Sequence, residues 1–208
     1  MASAIIHLAI AKEIAKDLNL KDDYDYYLGA IAPDIAKQIG VSRKDSHFII
    51  NTYFDAPNMK IFTEKYPDFW KNSFDLGYYI HLYTDKLWNE DFLQNYIYDT
   101  SVKLLDGTIL NTSDEEILQM VYSDYTNLNT QLIDEYHLDL SLFYEDFRLP
   151  DTTITEIPID KLDILINKMS ILIENSKQEK TYLLDIFTIK QFIANAKEEI
   201  EKELRKFS

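Results

Sequence analysis

Breaker residues are scarce in this chain. Four glycines and five prolines are spread over 208 residues, so long stretches of apolar residues at helical spacing run uninterrupted between them. Residues 3–18 place Ile6, Ala9, Ile10, Ile14 and Ala15 on one stripe, an amphipathic helix. Asp22 or Asp23 can cap a second helix carrying Tyr26, Tyr27, Ala30 and Ile31 until Pro33 disrupts it. Residues 40–56 read as irregular. Pro57 fits the first turn of a short helix, and Pro67 the start of a long one through Trp88 and on towards Tyr98.

Ser113 followed by Glu116 is a capping-box signature and opens a helix to about Tyr136. Thr152 to Ile157 alternates β-branched residues but is short enough to be an extended linker. Helices are expected over about 159–176 and 184–206, with Glu198 and Lys202 paired four apart in the last. The expected fold is all-α, a multi-helix bundle forming one domain over 1–208. A motif region fills 1–90 and C-terminal helices fill 113–208.

Composition narrows function more than fold. Twenty-one Lys+Arg against 36 Asp+Glu leave a net charge of −15, which repels polyanions and disfavours a nucleic-acid scaffold. No cysteine is present, so a metal here must be held by His, Asp or Glu. The opening MASAIIHLAIAKEIAKDL lacks a basic leader, and no apolar run reaches the ~20 residues of a membrane span. These features lead us to expect a cytoplasmic protein with no stable membrane association.

Four histidines can be weighed one by one. His81 and Asp85 lie four apart in FDLGYYIHLYTDKLW, which puts an imidazole and a carboxylate on one helical face. Alone, that spacing also suits a plain hydrogen-bonded pair. Leu76, Tyr79, Ile80, Tyr83, Leu87 and Trp88 make this helix apolar on several sides, so Asp85 needs a cation, a donor network or a metal. Gly77, a costly residue inside a helix, is explained by close approach of another backbone or a ligand. His7 interrupts an apolar helix, Asp34 follows Pro33 in GAIAPDI, and His47 sits in SRKDSHFII.

In this order, the early His7 helix, GAIAPD, SHF and then HxxxD resemble the zinc-dependent phospholipase C family, whose helical fold the fungal single-strand nucleases share. The resemblance covers about residues 1–90. It implies one ion held by Asp34, His47, His81 and Asp85, with Asp85 bridging to a second ion that His7 also binds. Asp34 and Asp85 are the carboxylates expected to take part in catalysis. Zinc suits such nitrogen and oxygen donors, although other divalent metals could enter. A water between two ions is acidified towards neutral pH and can attack phosphorus. Arg43 and Lys44, just before His47, could supply the cationic substrate-binding groups for a phosphate.

The chain also departs from that family. The secreted members use an amino-terminal tryptophan as a ligand, and this chain starts at Met1. Their third ion uses a further His after HxxxD and a later His-containing pair; here those places offer Glu90 and Asp91, then Asp134 and His137. The expected activity is hydrolysis of a small or lipid-derived phosphate ester, with no nucleic-acid polymer expected as a substrate because the charge disfavours it. Two alternatives are a helical interaction module with a structural or lost ion, and a metal hydrolase that cleaves another bond.

Overall fold

A computed structural model describes residues 1–50, 55–98, 100–144, 147–174 and 181–207. It is mostly helical, as expected. Among the described residues eight α-helices appear in the order α1 (Ala4–Leu18), α2 (Tyr24–Gly29), α3 (Ile35–Gln38), α4 (Met59–Lys65), α5 (Ser73–Leu87), α6 (Asp114–Tyr136), α7 (Leu162–Glu174) and α8 (Ile186–Leu204).

The core is built around α1 and α5. Helix α1 starts where the Ser3 hydroxyl accepts the Ile6 N–H and ends at Asn19 in the left-handed region. Its residues from Ile5 to Ala11 are buried without a break, so α1 packs on several sides at once, against α5, α6 and α8. Three alanines, Ala9, Ala11 and Ala15, keep it thin enough for that.

Helix α5 crosses α2 backbone against backbone. A Cβ on Gly77 would lie 2.0 Å from the Tyr26 carbonyl oxygen, and one on Gly29 would lie 2.1 Å from that of Phe74. The close approach expected at Gly77 is therefore made by a second helix.

Several boundaries differ from the sequence reading. Asparagine caps displace the prolines: Asn58 accepts the Ile61 N–H to open α4, and Asn72 accepts the Asp75 N–H to open α5. An asparagine carboxamide can satisfy a free helical N–H, whereas proline only tolerates lacking one. The second helix stops at Gly29, and Pro33 lies in a separate 3₁₀ turn, Ala32–Asp34, that leads into α3. The long helix stops at Leu87, widens into a π-helical turn over Trp88–Phe92, and does not reach Tyr98.

A small antiparallel sheet, missed in the sequence, follows: β1 (Ile97–Tyr98), β2 (Ser101–Lys103) and β3 (Ile109–Asn111), with Val102 opposite both Ile97 and Leu110. Strands of two or three residues are too short to show a period. The Ser113–Glu116 capping box forms as expected. Glu198 and Lys202 do not pair; Lys202 meets Glu199 instead.

Two buried carboxylates pin irregular segments to helices. Asp75 on α5 accepts the Thr153 hydroxyl at 2.7 Å and also bonds Thr152, which makes 152–157 an extended linker rather than a strand. Asp124 on α6 accepts the N–H groups of Tyr182, Leu183 and Leu184 at 2.7–2.9 Å. At the C-terminus, Phe207 packs against Phe69, ring centroids 5.0 Å apart. No helix among the described residues is long and apolar enough to cross a membrane.

Candidate metal centre

Five side chains from four segments meet inside this frame. His7 comes from α1, Asp34 from the 3₁₀ turn before α3, His47 from the loop after it, and His81 and Asp85 from one face of α5. All five are buried. His7, Asp34 and His81 form one group able to hold an ion, and His47, His81 and Asp85 form another. His47 is thus no surface ring, although polar residues precede it. Phe48 beside it has φ 54°, a left-handed backbone rare for a bulky residue, and its ring packs edge-on against Phe62.

A hydrogen bond fixes the His81 tautomer. His81 Nδ1 lies 2.9 Å from the Ala30 carbonyl oxygen, which can only accept, so Nδ1 carries the proton and Nε2 keeps its lone pair. The Ser46 hydroxyl donates to the Arg43 carbonyl at 3.3 Å and can accept from His47 Nδ1 at 2.9 Å. With the His47 proton on Nδ1, its Nε2 is also a bare lone pair; with the proton on Nε2, that N–H faces Asp34. The two Nε2 atoms face each other 3.3 Å apart.

Carboxylate oxygens complete the cluster. His47 Nε2 lies 3.7 Å from Asp34 Oδ1 and 3.6 Å from Asp85 Oδ2, and His81 Nε2 lies 4.0 Å from Asp85 Oδ2. Asp85 Oδ1 points the other way, 3.4 Å from His7 Nε2, and accepts the Ala2 N–H at 3.0 Å. The His7 and His81 rings stack at 3.7 Å, nearly parallel. Both ring nitrogens of His7 and Oδ1 of Asp34 are buried without a hydrogen bond.

Burial sets the proton affinities. It lowers His81 to about 3, with His7 adding to the effect, and it also lowers His47. Burial alone would raise both carboxyls. The facing His47 ring, then His81 and His7, outweigh it at Asp34, and the Met1 amino group and His7 outweigh it at Asp85. Both carboxyls stay below the usual carboxylate range. Neutral His47 and His81 rings beside ionised carboxylates are the protonation state a metal requires.

Ligands at zinc's ~2.1 Å bond length stand about 3.4 Å from one another, close to the 3.3–3.7 Å gaps around His47 Nε2. Those gaps are too long for good hydrogen bonds. The ligand sets divide differently from the expectation: His47, His81 and Asp85 form one group, and Asp34 joins His7 and His81 in the other. The two oxygens of Asp85 face different imidazoles, as a bridging carboxylate would.

The flanking residues divide. Arg43 is buried, and its Nη2 donates to Asp85 Oδ2 at 3.1 Å; Lys44 is exposed. Arg43 therefore contacts the cluster itself, a long-range pairing that no local spacing could reveal. Asp91, Asp134 and His137 join neither ion-holding group. His137 instead ends α6 with φ 49°.

Two cavities approach the cluster, and Met1 and Tyr125 line both. One, of about 120 Å³, reaches Asp34 beside Lys37, whose ammonium bonds the Tyr122 hydroxyl at 2.6 Å. The other, of about 350 Å³, reaches Arg43 between Trp88 and Val121 and is mostly apolar. No known family, curated protein or solved structure was found to match the chain.

Proposed function

We propose that this protein is a divalent-metal-dependent phosphoesterase that takes a small or lipid-derived phosphate ester, with zinc as the preferred ion. The facing Nε2 lone pairs of His47 and His81, 3.3 Å apart, carry the reading. The His81 proton is held on the opposite nitrogen by Ala30 O, and with the His47 proton directed likewise to Ser46 Oγ the two lone pairs repel until something positive lies between them. A fold like that of the zinc-dependent phospholipases C, the resemblance of the first 90 residues, belongs to the same reading.

His47, His81 and Asp85 would hold one ion, and His7 with Asp34 and Asp85 Oδ1 would hold a second. When bound, such ions supply Lewis acidity and acidify water, which is the chemistry of phosphate-ester hydrolysis. The chain's own groups do the rest. Ala30 O and Ser46 Oγ orient the two imidazoles. Arg43 holds Asp85 in place and lines the larger cavity, where its guanidinium can bind a phosphoryl oxygen. The apolar wall of that cavity suits a non-polar ester group, and the charge of −15 disfavours polymeric nucleic acid.

The deep burial of all five residues favours a second reading, an ion that only staples the segments together. Zinc content, thermal stability and hydrolysis of p-nitrophenyl phosphate and bis(p-nitrophenyl) phosphate separate the two. Zinc at a hundred times its dissociation constant should stabilise the chelated protein by about 2.7 kcal/mol. His81→Ala should cost at least about a hundredfold in kcat/KM, beyond what loss of a supporting contact costs. Bound zinc without turnover of either ester would establish the staple. Failure to bind zinc would overturn both readings.

A further inference from the structure

We propose that Lys37 binds the phosphoryl group at the metal centre, and that the substrate is accordingly a phosphate monoester. This rests on the phosphoesterase reading above and narrows its substrate class. Lys37 lies on α3, three residues after Asp34, and the two line one cavity of about 120 Å³. That volume is below the range of whole small-ligand sites, so it suits a compact group such as a phosphoryl rather than a complete ester. Lys37 and Asp34 are its charged lining side chains.

Asp34 is not the counter-ion of Lys37. Against the effect of burial, its carboxyl is kept ionised by His47, His81 and His7, and its Oδ1 lies 3.7 Å from His47 Nε2. With an ion at the centre, that carboxylate is a ligand and its charge is compensated. Lys37 donates to the Tyr122 hydroxyl at 2.6 Å and lies 4.2 Å from the centre of its ring. Those contacts are neutral, and Lys37 forms no ion pair among the described residues. Its ammonium has two more protons to donate.

Arg43 approaches the same place from the other side. Met1, Tyr122 and Tyr125 line both this cavity and the larger one that Arg43 lines. The Met1 amino group feels both cations: burial lowers its proton affinity, Asp85 and Asp34 oppose this, and Arg43 and Lys37 add to it.

Substrate class follows from the number of positive partners. The ion, Arg43 and Lys37 make three. The phosphoryl group of a monoester presents three terminal oxygens and a charge of about −1.5 to −2, whereas a diester presents two such oxygens and a single charge. A neutral or cationic ligand would leave the ammonium uncompensated beside the ion.

Inorganic phosphate is the probe, titrated by calorimetry into the zinc-loaded full chain, alongside kcat/KM for p-nitrophenyl phosphate and bis(p-nitrophenyl) phosphate. Lys37→Met should weaken phosphate binding at least about tenfold, as expected for losing a hydrogen bond to a charged group. It should lower kcat/KM for the monoester by a similar factor and for the diester by clearly less. Lys37→Arg should restore most of both. Lys37 is exposed, so the melting temperature and zinc content of either variant should match the parent. Phosphate affinity indifferent to Lys37→Met, or equal losses on the two esters, would overturn the proposal and leave the phosphoesterase reading standing. Phosphate binding that requires Lys37, without turnover of either ester, would uphold the contact and overturn that reading. Failure to bind zinc would overturn both.

Discussion

Because burial holds His81 at about 3 and lowers His47 too, the metal-free protein should be sensitive to mild acid. An unfolded histidine binds its proton near pH 6.5; burial holds His81 at about 3 and His47 below the unfolded value. Their contribution to stability is therefore complete above pH 6.5 and declines as pH falls towards the folded values. His81 accounts for on the order of 1 kcal/mol per pH unit across that window, and His47 adds a loss of the same sign. Asp34 and Asp85, whose folded pKa values lie below the usual range, add a loss of the same sign below about pH 4. Urea midpoints of chelated protein should fall steadily from pH 7 to pH 5. A flat profile would mean that the rings are not buried in the neutral form. Single residues also show how far the sequence could be read. His81 and Asp85 were legible because four-residue spacing puts them on one face. His7, Asp34 and His47 were legible through the order of short motifs. Arg43 was named as a cation, but its bond to Asp85, 42 positions away, is created only by the folded chain.

Helices were legible where a cap and an apolar stripe agreed, as in α1 and α6. They were misplaced where a proline was given the role that Asn58 and Asn72 perform, and the sheet over 97–111 lay below the length at which alternation can be seen. The costly glycine inside α5 did point to a tight crossing. Gly77→Ala gains about 1 kcal/mol of helix propensity but sets a methyl 2.0 Å from the Tyr26 carbonyl oxygen, where neither backbone can yield. The melting temperature should drop by an amount equivalent to more than about 3 kcal/mol; an unchanged value would contradict the crossing. Asp124→Ala strands three backbone N–H groups of residues 182–184 and should cost about 2–4 kcal/mol in urea titration. Asp124→Asn should cost less, because its carboxamide oxygen still accepts.

Across the chain, charge is the dominant long-range force. Fifteen uncompensated negative charges repel one another in the compact state, while the exposed Lys–Glu pairs contribute little. Raising salt from about 20 mM to about 500 mM, which shortens the screening length from roughly 20 Å to a few ångströms, should increase the melting temperature. A decrease would show that the ion pairs outweigh the repulsion. The apolar stripes and scarcity of breakers made the helical class legible, whereas convergence of distant segments on one point depends on packing that no single stretch encodes.

The joint between α2 and α5 has glycine on both sides, with no side chain between the strands of main chain to slide or re-seat. It can hold or part, but it cannot loosen by degrees. Ala30, which orients His81, and Asp34 lie just beyond one side of that joint, and His81 and Asp85 on the other. Warming the protein should therefore release an ion and dissolve the tertiary structure in a single event, with no softened intermediate that still grips its cargo.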